Sequence, residues 1–215
     1  MVLDMLQQRY PDHVENYNSY SYGVQRADAA RYFILYEYGG VYIDMDIACE
    51  TPLNDVIAYV TDRHADVGLP DNSWIRGGVT NDLLLATAKH RFFAQTINSL
   101  PHYNSNYGLP YVTVMYSTGP NFLTDMFKEY RRELEQRGTT DSDIVVLPHS
   151  LTHETNGYFR HTIGSTWHAA DGRILYGVLL NRHYAALFLA ICLAVIGYTQ
   201  RARCIKRWRH TTVAA

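Results

Sequence analysis

The sequence predicts an α/β domain with a mainly parallel sheet, followed by one C-terminal transmembrane helix. Short apolar segments typical of strands alternate with segments of helical period, which is the pattern of α/β folds. An uncharged segment at 184–198 then runs into five cations within nine residues, as in a membrane anchor with a basic cytoplasmic flank. The predicted division of the chain is a domain at 1–170, a linker at 171–183, a span at 184–200 and a tail at 201–215.

The individual elements follow from apolar periodicity and from the glycine and proline residues that interrupt it. Helices are predicted at 24–38, 55–61, 92–100 and 121–136, and strands are predicted at 41–43, 112–116 and 144–147. Residues 77–88 are predicted to form a turn and then a strand or helix, and 101–110 a loop. Residues 1–22 supply at most part of a helix.

The first long helix and the strand after it carry the most informative pattern in the chain. Gly39 and Gly40 stand just past the last helical residue, where the backbone turns through positive φ. The strand that follows ends in Asp44 and Asp46, whose side chains share one side of an extended backbone. Paired carboxylates with this spacing suit Mg²⁺ or Mn²⁺ that also binds phosphate oxygens of a ligand.

The same helix has two predicted faces. Small and apolar residues at 27, 30, 34 and 38 form a packed face, and Asp28, Arg31 and Tyr32 lie on an adjacent side. That side is predicted to face a ligand near the two aspartates. The alternative interpretation is a local Asp28–Arg31 ion pair on a solvated helix, which contributes about 0.2–0.5 kcal/mol.

The net charge and the residues that follow Asp46 argue against several other classes of protein. A net charge of −2 gives no basic surface of the size that nucleic-acid binding needs. A phosphatase of the haloacid dehalogenase type requires Thr or Val where this chain has Ala48, and a calcium loop requires an oxygen ligand and a glycine where it has Ala48 and Cys49. Since Cys49 is the one cysteine before the predicted span, the domain has no disulfide.

Four segments carry a resemblance to a known family. The run from Arg26 to Ile47 resembles the sugar-nucleotide glycosyltransferases with a DXD motif. Residues 78–82, 109–120 and 164–168 narrow the resemblance to the catalytic subunit of fungal inositol phosphorylceramide mannosyltransferases. The similarity covers roughly residues 20 to 170. It implies a nucleotide-diphospho-sugar transferase fold of the GT-A, Rossmann-like kind.

The resemblance also implies roles for particular residues. Asp46 would coordinate Mn²⁺ or Mg²⁺, and Asp44 would contact the ribose and share in metal binding. The donor sugar or nucleotide would be held by residues of the first long helix, the strand after it and the 78–82 segment: Asp28, Arg31, Gly39, Gly40, Tyr42, Asn81 and Asp82. The diphosphate would be covered by Ser165, Trp167 and His168, with His168 also a metal ligand and His161 the alternative histidine.

Two mechanisms are compatible with the retention of anomeric configuration that the resemblance implies. Double displacement needs a carboxylate nucleophile beneath the sugar, and Asp82 is the candidate for it. Front-face attack assisted by the leaving phosphate needs none. In either mechanism, a cation at Asp44 and Asp46 would neutralise charge on the leaving diphosphate.

The resemblance implies partners as well. The donor would be GDP-mannose, the acceptor an inositol phosphorylceramide-type lipid, and a regulatory membrane subunit is a further expected partner. The short span is typical of the Golgi or endoplasmic reticulum, with the catalytic domain in the lumen. Relatives begin with a strand carrying an Ile-His-Gln-like motif that lines the base, and no such motif precedes Arg26 here. The non-enzymatic alternative is therefore an inactive relative that acts as a partner or regulatory subunit.

Overall fold

The computed structural model describes residues 2–72, 75–138, 143–152, 158–161 and 172. The helices in these ranges are α1 (Val2–Arg9), α2 (Pro11–Ser19), α3 (Gly23–Tyr38), α4 (Asn54–Thr61), α5 (Arg91–Tyr103), α6 (Pro110–Ser117), α7 (Pro120–Gln136) and α8 (His149–Thr152). The strands are β1 (Gly40–Ile43), β2 (Ile47–Cys49), β3 (Val67–Asn72), β4 (Gly78–Val79), β5 (Leu83–Ala86), β6 (Ile144–Leu147) and β7 (Phe159–His161).

The main sheet is mixed, with helices packed on both of its faces. Strand β5 pairs antiparallel with β1 and with β3, β4 also pairs antiparallel with β3, and β6 pairs parallel with β3. The α/β class is therefore confirmed, whereas the expectation of a mainly parallel sheet is wrong for the described residues. Strands β2 and β7 form a separate antiparallel pair.

Strand β5 separates the two hydrophobic cores, because all four of its residues are buried. Leu84 contributes to the core that α3, α5 and α7 cover, where it meets Phe33, Phe93 and Phe122. Leu83 and Leu85 point the other way and pack with Val56 and Val60 of α4. This alternation is the ordinary consequence of strand geometry in a sheet covered on both faces.

Helix α3 buries only part of the face that was predicted to pack, since Ala30 is buried and Ile34 is half-buried. Ala27 and Tyr38 are exposed, whereas Asp28, Arg31 and Tyr32 are buried with Phe33. The buried face includes two charged residues because each of them finds a charged partner inside the fold. Ranking the residues of this helix by hydrophobicity alone could not identify that face.

The predicted strand at 112–116 is wrong, since these residues belong to helix α6. Its three β-branched residues favour a strand locally, but Thr113, Val114 and Ser117 are buried at helical spacing. Pro110 occupies the first turn, where a missing N–H has no cost. The N-terminal region contains more helix than predicted, because residues 2–19 form two helices. The predicted helices 24–38, 55–61 and 121–136 and strands 41–43 and 144–147 are confirmed to within a residue or two.

Within the described ranges, no helix is both long and apolar enough to cross a bilayer. The predicted span at 184–200 lies outside those ranges, so it stays a prediction.

Candidate active site

The direction of the strands gathers acidic residues at one edge of the main sheet. Because β5 runs antiparallel to both β1 and β3, and β6 runs parallel to β3, the carboxyl ends of β1, β3 and β6 share that edge. Asp44 follows the end of β1, and Asp82 precedes the start of β5 beside it. The Asp44 amide donates a hydrogen bond to the Asp82 carbonyl, 2.8 Å away. Ligands of open α/β sheets bind at this kind of edge.

The two predicted metal ligands lie in a tight turn. The Ile47 amide donates to the Asp44 carbonyl at 3.0 Å, so residues 44–47 form a β-turn with fully exposed Met45 at its tip. The expectation that Asp44 and Asp46 project from extended backbone is therefore wrong. Both side chains are partly buried in the turn, which we call the Asp44 corner (Asp44–Asp46).

A bulge places Asn81 opposite helix α3. Strands β4 and β5 both pair with β3, but the register shifts by three residues between them, so Thr80, Asn81 and Asp82 leave the regular ladder. The Thr80 hydroxyl and the Leu83 amide both donate to one carboxylate oxygen of Asp82, the amide at 3.1 Å. These bonds fix the shape of the bulge.

Arg31 joins the helix, the bulge and the Asp44 corner. Its side chain is only 5% exposed, and its guanidinium contacts Asp28 at 2.8 Å and Asp44 at 3.3 Å. One terminal nitrogen also donates to the Asn81 carbonyl. Its Nε is buried and has no hydrogen-bond partner among the described residues. A buried donor without a partner costs free energy, which Arg31 offsets through the contacts of its terminal nitrogens.

The carboxylate of Asp28 is almost completely removed from water. It accepts hydrogen bonds from the Asn81 side-chain amide at 3.1 Å and from the Thr118 hydroxyl at 3.0 Å, besides its ion pair with Arg31. Burial raises the pKa of Asp28 to about 6, against the opposing effects of Arg31 and Thr118. The predicted neighbourhood of Asp28, Arg31 and Asp44 is therefore present, and the alternative of a solvated surface ion pair is wrong.

Asp44 lies between favourable and unfavourable charges. The Tyr42 hydroxyl donates to its carboxylate at 2.6 Å, and the Arg31 guanidinium stacks over the Tyr42 ring at 4.7 Å from its centroid. Burial raises the pKa of Asp44, Arg31 and Tyr42 lower it, and the nearby charges of Asp82 and Asp46 raise it again. A cation bound at Asp44 would offset the repulsion that the charges of Asp82 and Asp46 exert on its carboxylate.

The donor set fits a divalent cation that keeps open coordination positions. No group of three or more His, Cys, Asp or Glu side chains in the described part of the chain is arranged to hold a metal ion, so the protein would supply two carboxylates at most from this region. Two aspartates with free positions for water and phosphate oxygens are the arrangement that Mg²⁺ commonly uses. Asp44 and Asp46 would hold such an ion together with its phosphorylated ligand.

The other predicted site residues fall into two groups. Gly39 and Gly40 lie at the far end of β1 from the Asp44 corner, where Gly39 (φ 65°) packs against the backbone after β5. Their role with a donor stays a prediction, as does that of Asp82, whose bonds within the bulge are structural. Ser165, Trp167 and His168 lie outside the described residues, and so does the side chain of His161, whose backbone ends β7.

The sequence predicted the position of Tyr32 beside the site but did not identify Thr118 as a partner of these residues. The Tyr32 hydroxyl accepts from the Asn81 side chain at 3.2 Å and donates to the Thr118 carbonyl at 2.7 Å. The available signal is the run Ser117-Thr118-Gly119-Pro120, which lies within the 109–120 segment of the family resemblance.

Comparison with known proteins bears on the class of protein that the resemblance indicated. Residues 1–61, which include α3, β1 and the Asp44 corner, match the family model described as a glycosyltransferase sugar-binding region containing a DXD motif. Recognition of a DXD-containing glycosyltransferase from the sequence is thereby confirmed.

Individual relatives narrow that class. The chain is 35% identical over 176 residues to the mannosyl phosphorylinositol ceramide synthase SUR1 of Saccharomyces cerevisiae, covering 81% of this chain and 43% of that protein. It is 34% identical over 211 residues to the inositol phosphoceramide mannosyltransferase 1 of Schizosaccharomyces pombe, covering 94% of this chain and 62% of that protein. The chain thus spans about half the length of these relatives.

Among solved structures, the PaToxG glycosyltransferase matches 62% of this chain and 46% of its own, with 19% identity and a TM-score of 0.42.

Proposed function

We propose that this chain is a metal-dependent glycosyltransferase with a GT-A fold that moves mannose from GDP-mannose to an inositol phosphorylceramide-type lipid. The observation that carries the proposal is the buried Arg31, which links Asp28, the Asn81 bulge and the Asp44 corner. The names of the matched relatives support the choice of sugar and acceptor.

The residues of the site would contact different parts of a nucleoside diphosphate sugar. Asp44 and Asp46 would hold Mn²⁺ or Mg²⁺, and the bound ion would supply positive charge to neutralise the leaving diphosphate. The guanidinium of Arg31 places a positive charge beside the Asp44 corner, where it would attract oxygens of the donor, and Asp28 and the Asn81 carbonyl fix its orientation. Because the Arg31 guanidinium is already held in place, it would stabilise developing negative charge without reorganising during the reaction.

The hydrogen bonds of Asp82 are relevant to both mechanisms that retain the anomeric configuration. One of its carboxylate oxygens already accepts bonds from Thr80 and the Leu83 amide, so the group is held rigidly beside the Asp44 corner. A rigid carboxylate suits a nucleophile in double displacement, and it equally suits a residue that orients the sugar for front-face attack. Asp82 is therefore proposed either as the nucleophile or as the residue that orients the sugar.

A transfer assay tests this function. The full chain, reconstituted in bilayers with inositol phosphorylceramide and Mn²⁺, is expected to mannosylate the lipid with GDP-mannose and to give no product with UDP-glucose. A folded chain that neither transfers mannose nor hydrolyses GDP-mannose would contradict the proposal. It would support the non-enzymatic alternative, a partner or regulatory subunit of an active transferase.

The proposed location follows from the predicted span at 184–200 and its basic flank. We infer a membrane protein of the Golgi or endoplasmic reticulum with the Asp44 corner in the lumen. Protease added to sealed microsomes should remove the tail after Arg201 and spare the region around Asp44. Cleavage near Asp44 with an intact tail would reverse the orientation.

A further inference from the structure

The turn between α6 and α7 lies directly against the site. It includes the last residue of α6, Ser117, and the two residues that join the helices, Thr118 and Gly119, and Ser117 and Thr118 are completely buried. Completely buried hydroxyl groups are retained in a core when they satisfy specific hydrogen bonds.

Three hydrogen bonds connect this turn to one face of helix α3. The Gln25 side-chain amide donates to the Ser117 hydroxyl at 2.8 Å, the Thr118 hydroxyl donates to Asp28 at 3.0 Å, and the Tyr32 hydroxyl donates to the Thr118 carbonyl at 2.7 Å. The three residues of α3 are spaced by three and four positions, so they form one stripe along the helix.

The two oxygens of Asp28 have different partners. Oδ1 contacts Arg31 and the Asn81 amide, whereas among the described residues Oδ2 accepts from the Thr118 hydroxyl alone. Without that hydroxyl, Oδ2 would be left buried and unpaired, and the carboxylate would be free to rotate. Arg31 would then lose the fixed partner that sets the direction of its guanidinium.

The backbone of the turn supports this arrangement. A Cβ atom at Gly119 would lie 2.9 Å from the Val114 carbonyl oxygen and 3.1 Å from the Met115 Cα, so any other residue would require the backbone to shift. Glycine therefore allows the turn that carries Thr118 to pack closely against the end of helix α6.

We propose that Thr118 is a positioning residue of the donor site, which acts through Asp28 to hold Arg31 in its binding orientation. This inference rests on the proposed function, because it concerns the same donor. It gives the Ser117-Thr118-Gly119-Pro120 run a role in the site.

Equilibrium binding of GDP-mannose in the presence of Mn²⁺ tests the inference on the full chain. Thr118→Val, which removes the hydroxyl but keeps the shape, should weaken binding about tenfold or more, and Thr118→Ser should restore it to within about threefold. The matched control is Thr96→Val, because Thr96 is equally buried but, among the described residues, its hydroxyl donates to the Phe92 carbonyl of its own helix. This control should lower the melting temperature without weakening donor binding.

Two further variants separate positioning from general stability. Tyr32→Phe releases the Thr118 carbonyl and should weaken binding in the same direction even if Thr118→Val folds poorly. In an Asp28→Asn background, Thr118→Val should change the dissociation constant by less than about twofold, because the two residues act in series.

The outcomes distinguish this inference from the proposed function. If the wild-type chain binds GDP-mannose and Thr118→Val binds it equally well, or loses no more than Thr96→Val does, the positioning role is overturned and the function stands. If the folded wild-type chain does not bind GDP-mannose, the proposed function is contradicted and the positioning role is overturned with it.

Discussion

Arg31 is the residue with the most consequential environment in this protein. Its guanidinium is buried between the carboxylates of Asp28 and Asp44 and also bonds the Asn81 carbonyl. Burial lowers the pKa of Arg31, but the two carboxylates more than compensate and leave it above its usual value. An ion pair in this position contributes less to stability than the loss of one partner would cost.

Arg31→Met should therefore destabilise the fold strongly. The substitution leaves Asp28 buried without its cation, so the free energy of unfolding at neutral pH should fall by about 3–5 kcal/mol. Denaturant unfolding followed by circular dichroism measures this change. Arg26→Met is the matched control, because Arg26 lies on the same helix, is partly exposed and bonds only the Tyr20 carbonyl.

The double variant Asp28→Asn/Arg31→Met sharpens that test. Removing both charges should recover part of the stability lost in Arg31→Met, since no unpaired carboxylate remains at position 28. Equal stability of Arg31→Met and the wild type would contradict the central place of this ion pair.

At the scale of elements, the end of helix α3 fixes the start of strand β1. Gly39 has a φ of 65°, and a Cβ there would lie 2.6 Å from the Ala88 amide nitrogen and 2.8 Å from the Ala86 carbonyl oxygen. Both the backbone conformation and the close approach of the chain require glycine. The helix and strand that carry Arg31 and Asp44 therefore depend on this residue for their relative placement.

Gly39→Ala should lower the free energy of unfolding by about 2–4 kcal/mol, because it combines left-handed strain with a clash against backbone. Thermal or denaturant unfolding measures the loss. Gly23→Ala is the control: a Cβ at Gly23 meets nothing within 4 Å, and alanine favours the helix that begins there. A Gly39→Ala variant as stable as the wild type would show that the approach to β5 is not tight.

Sequence patterns predicted the elements whose signals are local. Gly39, the apolar run 41–43 and Pro120 each act within a few residues, so α3, β1 and α7 could be placed from them. Helix α6 could not, because Val112, Thr113 and Val114 favour a strand and tertiary packing overrides them. The bulge at Asn81 was also invisible, since it depends on how β4 and β5 share β3 as a partner.

The same division applies to the site. The closeness of Asp28, Arg31 and Asp44 was predicted because all three lie within one helix, one turn and one short strand. Thr118 lies 90 positions from Asp28, and no spacing rule connects them. Long-range partners of a buried carboxylate become visible only once the fold is known.

At the scale of the whole molecule, Glu37 ties together three distant parts of the chain. It accepts hydrogen bonds from Tyr10 at 2.5 Å and Lys89 at 2.5 Å, and it pairs with Arg9. The N-terminal helices, helix α3 and the loop after β5 thus meet at one carboxylate. The hydrogen bonds from Lys89 and Tyr10 lower the pKa of Glu37 to about 2.

Glu37→Gln should make stability less dependent on pH in the acid range. Because the pKa of Glu37 is lower in the folded state than its ordinary 4.5, its contribution is complete above that value and is lost as the pH falls towards 2. The variant should lose up to about 1 kcal/mol at neutral pH, since Arg9 and Lys89 are half-exposed and screened by solvent.

Unfolding measured between pH 7 and pH 3 checks this expectation. The difference between wild type and Glu37→Gln should shrink as the pH falls through that range. Glu15→Gln, on an exposed position of α2, controls for the change in net charge. A difference that stays constant or grows in acid would contradict the assignment of these bonds to Glu37.

Hydrolysis of GDP-mannose with Mn²⁺, measured on the full chain before and after Asp46→Ala, tests the central claim most directly. Asp62→Ala is the matched control, since Asp62 is an exposed carboxylate at the end of α4. We predict that Asp46→Ala lowers the Mn²⁺-dependent rate at least about a hundredfold with an unchanged melting temperature, and that Asp62→Ala does not. A folded Asp46→Ala variant that hydrolyses GDP-mannose at the wild-type rate would contradict the assignment of the Asp44 corner as the cation site of a glycosyltransferase.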